Sequence, residues 1–489
     1  MTLYYYKADA ANDAGSGTIG SPWKLLNTTG HKTVLAAGDI VYARGGASAA
    51  ARLAYTETVT ISNASSCANG SAGNPITIAN YPGEYCEFQN STGQPFRFTD
   101  RDYWSITGQE LADFPFYINC QDKTSSGRGI LIEESAFIVI RGVEVANGAY
   151  STGLIELKDS SDCTIQYNKI HDNHIGPGTD ANGVYIRDSL AAHTYRVIVE
   201  YNDIYDISGD CIGQNYNTNS SSYKGTDYIF RYNTMTAWST AGKSENAIDS
   251  RGTENLLVLG NTMSGFRWND GSVAGTGSDA SCVFQHHQFA GTCRVTSNIA
   301  YNCSGQFIGS TVGPVTLDHN RLYDWVYEAF PGAHDTATYQ RCMFFLDSDD
   351  YFVYNNTIDG SGWSGANPAY VVTTTNGATC LWKNNICYAT PGADIRAGTT
   401  LTPTYSCFYS ATWSPAGTGN ITTNPLFADA GSNDYTLQAG SPCIDTGTTI
   451  TGITDDAIGA PDMGALEYDP GEAEAAVGTI TGRRRAGRR

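Results

Sequence analysis

The sequence predicts an all-β solenoid, a parallel β-helix of about ten or more coils, on three observations. A short apolar strand ending in Asn recurs along most of the chain. A second strand of different pattern recurs between those copies. The composition favours strands and turns, with 53 Gly and 31 Tyr but only 5 Met among 489 residues.

The first strand reads CTIQYNKI at 163–170, VIVEYNDI at 197–204, YIFRYNTM at 228–235 and LLVLGNTM at 256–263. It continues as CRVTSNIAY at 293–301, VTLDHNRLY at 315–323, YFVYNNTID at 351–359 and CLWKNNICY at 380–388. Its anchor Asn falls at 168, 202, 233, 261, 298, 320, 356 and 385, with gaps of 34, 31, 28, 37, 22, 36 and 29 residues. A solenoid coil needs at least about 20 residues, and the excess goes into loops. Apolar residues alternate within each copy, so one face points to a core. The Asn suits a tight turn, tolerating the left-handed conformation, and a stacked Asn can hydrogen-bond along the ladder.

The second strand reads GLIELKD at 153–159, NGVYIRDS at 182–189, GDCIGQN at 209–215, ENAIDSR at 245–251, SCVFQHH at 281–287, GQFIGST at 305–311 and MFFLDSDD at 343–350. Each coil therefore supplies at least two aligned strands. At about 4.8 Å per coil, ten coils make a rod of roughly 45–50 Å.

A formal charge of −20, from 49 acidic and 29 basic residues, repels nucleic acid and anionic membranes. An acidic ligand requires a local basic patch or a bridging cation. No apolar run of about 18 residues is present, so no membrane insertion is expected. The start, Met1-Thr-Leu-Tyr-Tyr-Tyr-Lys7, shows no signal peptide. The 13 cysteines form an odd set without a CxxC pair and read as buried thiols acting as small hydrophobes. Cys163, Cys293 and Cys380 each lie five residues before an anchor Asn and point into the core at one place in the coil. Export would leave disulfide pairing open.

Alternating "GxxI" and "VxIxxNxI" strands resemble the pectate-lyase-like right-handed parallel β-helix superfamily, which includes polysaccharide lyases and phage tailspikes. The segments GDIVYARGG at 38–46, ETVTISN at 57–63 and GNPITIANYPGE at 73–84 resemble N-terminal coils of such lyases. NPLFADAGSNDYTLQAGSPCIDTG at 424–447 and APDMGALEY at 460–468 resemble their closing module. The resemblance spans residues 1–468 and divides the chain. Residues 1–100 are the cap and first coils, 101–400 the helix core, 401–468 the closing module and 469–489 an Arg-rich flexible tail. That tail, with five Arg in its last seven residues, is a solvated basic segment or a docking peptide for an acidic partner.

The resemblance implies an extracellular or virion-borne protein that engages a polysaccharide or cell-surface glycan. It acts as a lyase by β-elimination, favoured over a hydrolase, or as a non-catalytic adhesin or structural rod. Analogy with tailspikes implies a homotrimer. Aligning the second strands on their apolar anchors turns outward Glu156, Lys158, Arg187, Asp249, Arg251, Gln285, His287, Asp347 and Asp349. A uronate lyase needs a base near the sugar C5, often Lys or Arg, and a cation that neutralises the carboxylate. Arg251, Asp249, Arg187 and Lys243 are the catalytic candidates. Asp180, Asp210 and Glu245 come from neighbouring coils and are candidate Ca²⁺ ligands, with His171, Asp172, His174 and Asp206 nearby in the loops. Tyr216, Tyr223, Trp238, Trp268 and His287 are candidates to line a glycan groove, because sugar rings stack on aromatic faces. For a hydrolase, Asp347 and Asp349 are the better carboxylate pair.

Overall fold

Each coil begins with a strand of three to seven residues in which apolar side chains alternate. In Thr164–Gln166, Ile165 is fully buried and its neighbours are half-exposed. The chain then turns at Tyr167, whose φ of 55° lies in the left-handed region, and resumes as Lys169–Asn173. A third strand, Asn182–Asp188, completes the circuit before Ile198–Glu200 opens the next coil. These three strand positions repeat to form three sheets.

The computed structural model describes residues 1–470 apart from 91–92, 110–112, 122–126, 149–151, 175–180, 189–193, 217–224, 238–243, 252, 267–280, 287–290, 311–312, 326–339, 346–349, 364–368, 375–376 and 396–399. The first sheet has 14 strands, from Leu3–Tyr6 to Thr400–Thr404. The second has 13, from Leu53–Tyr55 to Cys407–Tyr409. The third has 12, from Val59–Ser62 to Gly392–Ile395. Neighbouring strands are parallel and come from successive coils, as in Thr164–Gln166 beside Ile198–Glu200. The architecture is a right-handed parallel β-helix, as the repeat predicts.

The core runs the length of the stack. One register column reads Ile140, Ile165, Val199, Phe230, Val258, Val295, Leu317, Val353 and Trp382, every member fully buried. All 13 cysteines are buried and none is disulfide-bonded. Cys293 and Cys380 sit on core columns of the first sheet beside Leu256 and Tyr351, the role their spacing predicts. Burial pushes the Cys163 thiol up to about 12.

The anchor Asn series forms one buried column. Asn168 donates its backbone N–H and its amide to Asn202 Oδ1, both at 3.0 Å. The same pair of bonds recurs down to Asn385, whose backbone N–H ends the series on Ser406 Oγ at 3.1 Å. The left-handed residue is not the Asn but the one before it: Tyr167, Tyr201, Tyr232, Gly260, Ser297, His319, Asn355 and Asn384. This corrects the expected reason for Asn at these positions. Its amide is selected for bridging coils, while the preceding residue bears the turn. The turn also splits each predicted first strand in two, which is why a sheet beyond the two predicted strand sets appears.

Beyond Tyr409, residues Phe427–Asp429 and Asp434–Leu437 pair antiparallel and pack with Cys443, Met463, Ile386 and Cys407 in a second small core. The chain then lies along the Asn turns. Asn355 Nδ2 donates to Asp462 O at 3.0 Å, Gly464 N–H to Asn384 O at 2.7 Å and Ala465 N–H to Thr357 Oγ1 at 2.9 Å.

Candidate functional site

On the third sheet, Val184 and Ile186 enter the core, so Tyr185 and Arg187 lie on the opposite, outer face. Register places Glu156, Tyr185, Gly213 and Asp249 in one outer column across four coils. Glu133, Lys158, Arg187 and Asn215 form the column beside it. Arg251 shares a rung with His286 rather than His287, and Gln285 falls opposite Ser250. These strands begin with two consecutive core residues, such as Ala247 and Ile248, before alternation starts.

Carboxylates on this outer face are buried. Glu156 is 0% exposed and takes hydrogen bonds from Arg128 Nε and an ion pair with Arg187 Nη2 at 3.3 Å. Asp249 is 2% exposed and holds Arg251, whose Nε lies 2.8 Å from Oδ2. Arg251 N–H and Thr253 Oγ1 both donate to Gln214 Oε1, at 2.7 and 2.8 Å, which fixes the backbone beneath the guanidinium. One coil chain earlier, Glu133 accepts from Lys158 Nζ at 2.6 Å and Arg97 Nη2 at 2.7 Å. A buried charge is tolerated when paired and hydrogen-bonded, and each of these is.

Burial works against the Arg251 charge, but Asp249, Asp210 and Glu245 together outweigh it and hold its pKa above the ordinary value. Its guanidinium is thus a fixed cation rather than a proton acceptor. Of the two roles expected for Arg251, the surroundings favour charge neutraliser over base.

Gly213 makes room in the outer column for the Asn182 side chain, because a Cβ there would lie 2.3 Å from Asn182 Oδ1 and 3.1 Å from Asp210 Oδ2. Asp210, 5% exposed, accepts Asn246 Nδ2 on Oδ1 at 2.9 Å. Asn182 is 3% exposed, and its Oδ1 has no hydrogen-bond partner among the described residues. Asn182 and Asp210 thus bring acceptor oxygens over Gly213, with Asp249 on the adjoining rung. Such acceptors suit a cation or a sugar hydroxyl donor. Among the described residues no three His, Cys, Asp or Glu side chains are grouped to hold a metal.

The structure brings Arg187, Asp210, Glu245, Asp249 and Arg251 to adjoining coils of one sheet. Tyr216 ends the strand Ile212–Tyr216 opposite Asp188. Asp180, Tyr223, Trp238, Lys243, Trp268, His287, Asp347 and Asp349 lie outside the described residues. His171 and Asp172 lie on the second sheet instead. His171 places Nδ1 2.6 Å from Asp172 Oδ2 and Nε2 3.0 Å from Glu144 Oε1, and stacks on Tyr205 at 4.8 Å. His174 Nε2 is 3.9 Å from Asp172. These groups bond one another rather than joining Asp210. Asn182, Tyr185 and Asn246 are site residues that charge-based reading passed over. For Tyr185 the two-residue alternation with Arg187 was the available signal.

The fold and site define this chain as a right-handed parallel β-helix protein with a polar outer face on its third sheet. Among solved structures it is similar to PfbA, a surface adhesin of Streptococcus pneumoniae, at 11% identity and a TM-score of 0.50, covering 78% of this chain and 85% of that one. It is also similar to pectate lyase Pel9A, at 14% identity, TM-score 0.37, and 96% and 97% coverage. A third similar structure is an alginate lyase from Paenibacillus sp. str. FPU-7, at 14% identity, TM-score 0.38, and 86% and 99% coverage. No protein-family model matches the chain, and no curated protein does. The likeness to PfbA is one of fold.

Proposed function

We propose that this protein engages a polysaccharide along the outer face of the third sheet and cleaves it by β-elimination. The observation that carries this reading is the pair of buried carboxylates on that face, Glu156 and Asp249, each paired with arginine. A uronate carboxylate beside Arg251 would be neutralised by a cation that stays charged, which acidifies the proton at C5. A base removes that proton. The electron pair forms the C4–C5 double bond and expels the glycosidic oxygen, which takes up a proton from water. Lys243, eight residues before Arg251 in the sequence and outside the described residues, is the base this reading assigns.

Asn182, Asp210 and Asp249 are the residues that would hold Ca²⁺, because the orphaned Asn182 oxygen beside the Asp210 carboxylate suits a hard cation that completes its shell from substrate and water. Bound there, it would help neutralise the sugar carboxylate. An extracellular or virion setting follows from such a substrate.

A second reading is a non-catalytic adhesin. It is favoured by the fact that Arg187, Arg251 and Lys158 are already paired with Glu156, Asp249 and Glu133. Incubation with alginate, pectate and glycosaminoglycans, followed by the ultraviolet absorbance of unsaturated uronates, separates the two. Rising absorbance supports the lyase. Glycan retention without absorbance supports the adhesin.

A further inference from the structure

We propose that Cys407 and Cys443 are an oxidisable pair whose disulfide fastens the closing segment to the last coil. Of the 13 cysteines, these two alone lie outside the main core. Cys407 opens Cys407–Tyr409, the final strand of the second sheet. Register pairs Ile386 with Cys407 and Cys387 with Phe408. Cys387 and Phe408 enter the main core, so alternation turns Ile386 and Cys407 outward. Both are buried nevertheless, because the closing segment packs over them. Cys443 comes from that segment and is fully buried in the same small core.

The two thiols meet there. The Cys443 thiol shares a hydrogen bond with the Cys407 thiol, and that contact, ahead of burial, holds its pKa above the ordinary value. The Cys407 thiol also donates to Thr423 O at 3.3 Å. Backbone bonds hold both residues in place. Cys407 N–H donates to Asn385 O at 2.9 Å, Cys443 N–H to Ser441 Oγ at 3.1 Å and Met463 N–H to Cys443 O at 3.0 Å. A second thiol pair, Cys282 and Cys303 with sulfurs 3.7 Å apart, lies inside the main core and joins coils that already share three sheets. Cys407 and Cys443 instead join two parts that meet through one small core and hydrogen bonds such as Tyr435 OH to Asp359 Oδ2 at 2.9 Å.

The chemistry is thiol–disulfide exchange with a small disulfide such as oxidised glutathione. One cysteine, as thiolate, attacks a glutathione sulfur and releases a glutathione thiolate. The other cysteine then attacks the mixed disulfide and expels the second glutathione. Two electrons pass from the cysteine sulfurs to glutathione, and the two thiol protons end on the glutathiones released. The buried Cys443 thiol stays protonated while the segment is seated, so exchange proceeds when the segment lifts. The last coil has a neighbouring coil on one side only, which makes it a place where a solenoid opens. A link across residues 407–443 restricts that opening in an oxidising medium and releases it in a reducing one. The clasp does not depend on which ligand the third sheet takes.

Incubation of the full chain with oxidised glutathione, in denaturant below its main unfolding transition, tests this. After alkylation, a protease cutting at aspartates separates Cys407 from Cys443, since Asp429 and Asp434 lie between them. Mass spectrometry is expected to find the two peptides joined, lighter by the two thiol hydrogens, and apart again after dithiothreitol. Hydrogen exchange at Tyr435 and Gly464 is expected to be on the order of 100-fold slower in the oxidised protein. Cys303→Ser should leave the link, and Cys443→Ser should remove it. If Cys443→Ser fails to fold, the peptide map of the parent decides. Recovery of Cys407 and Cys443 as free thiols overturns the proposal, as does linkage of either to another cysteine. Equal hydrogen exchange in the linked and reduced protein overturns it too.

Discussion

The outer faces of the first and third sheets share one scaffold of parallel strands in continuous register, yet they treat charge in opposite ways. On the third sheet, Glu156 and Asp249 are buried at 0% and 2% exposure, and Arg128, Arg187 and Arg251 close on them. On the first, the outward row is Ile198, Ile229 and Leu257, with ion pairs along its borders. Backbone pairing satisfies every strand whatever its outward side chains are, so those side chains are released for other work. One face concentrates fixed charge at low solvent exposure, where charge–charge interactions are strong. The other offers an apolar row. The fold therefore does not choose a function, and the outer columns do.

The largest effect expected is at Arg251. Under the lyase reading, Arg251→Ala abolishes turnover of whichever uronan proves to be substrate, measured by product absorbance. Removing the guanidinium also breaks the ion pair at buried Asp249. A loss of about 1–3 kcal/mol is expected in denaturant unfolding. Arg251→Lys keeps the charge and should recover most of the stability but little activity, since the fork geometry is lost. Full activity in Arg251→Ala would place the chemistry on another face.

Next in size is the Asn column at the turn between the first and second sheets. Asn261 accepts from Asn233 N and Nδ2 at 2.9 and 3.0 Å, and donates to Phe230 O and Asn298 Oδ1 at 2.9 and 3.0 Å. Asn261→Ala strands several buried polar groups and should cost about 3 kcal/mol. A cost near zero would show that the ladder is incidental to coil stacking.

Acid should act on the first sheet at Asp318. Burial raises its pKa, but hydrogen bonds from His319, Arg294 and Thr296 prevail and hold it below the ordinary 3.8. A group depressed in the folded state supplies stability above its unfolded pKa and loses it as pH falls through the folded value. That contribution is therefore present at neutral pH and disappears below about 3.8. Asp318→Asn should lower stability at pH 7 and flatten the acid limb of the pH–stability curve. An unchanged limb would assign acid sensitivity to other groups.

The smallest effect sharpens the Ca²⁺ assignment. Calcium should raise the parent melting temperature slightly, and Asn182→Ala should remove that rise with little change in the metal-free value. Equal stabilisation of parent and variant would remove Asn182 from the site.

Periodicity made the fold legible. Eight Asn anchors, an apolar alternation of two and the five-residue offset of three cysteines all follow from one-dimensional stacking, in which each coil meets only its neighbours and repeats their side chains. Local pattern therefore carries global architecture here. It also put Arg187, Asp249 and Arg251 on one outward stripe, since alternation alone decides which face a strand residue takes. What it did not decide was where alternation is interrupted. Paired core residues such as Ala247 and Ile248 open several third-sheet strands, and the left-handed residue before each Asn split one predicted strand into two. Nor did it show that Asp249 and Glu156 are buried, or that Asn182 Oδ1 closes over Gly213 beside Asp210. Those facts depend on register between coils about 30 residues apart and on what packs over each face. Loop length is free to vary between coils, so only the tertiary structure brings them into line.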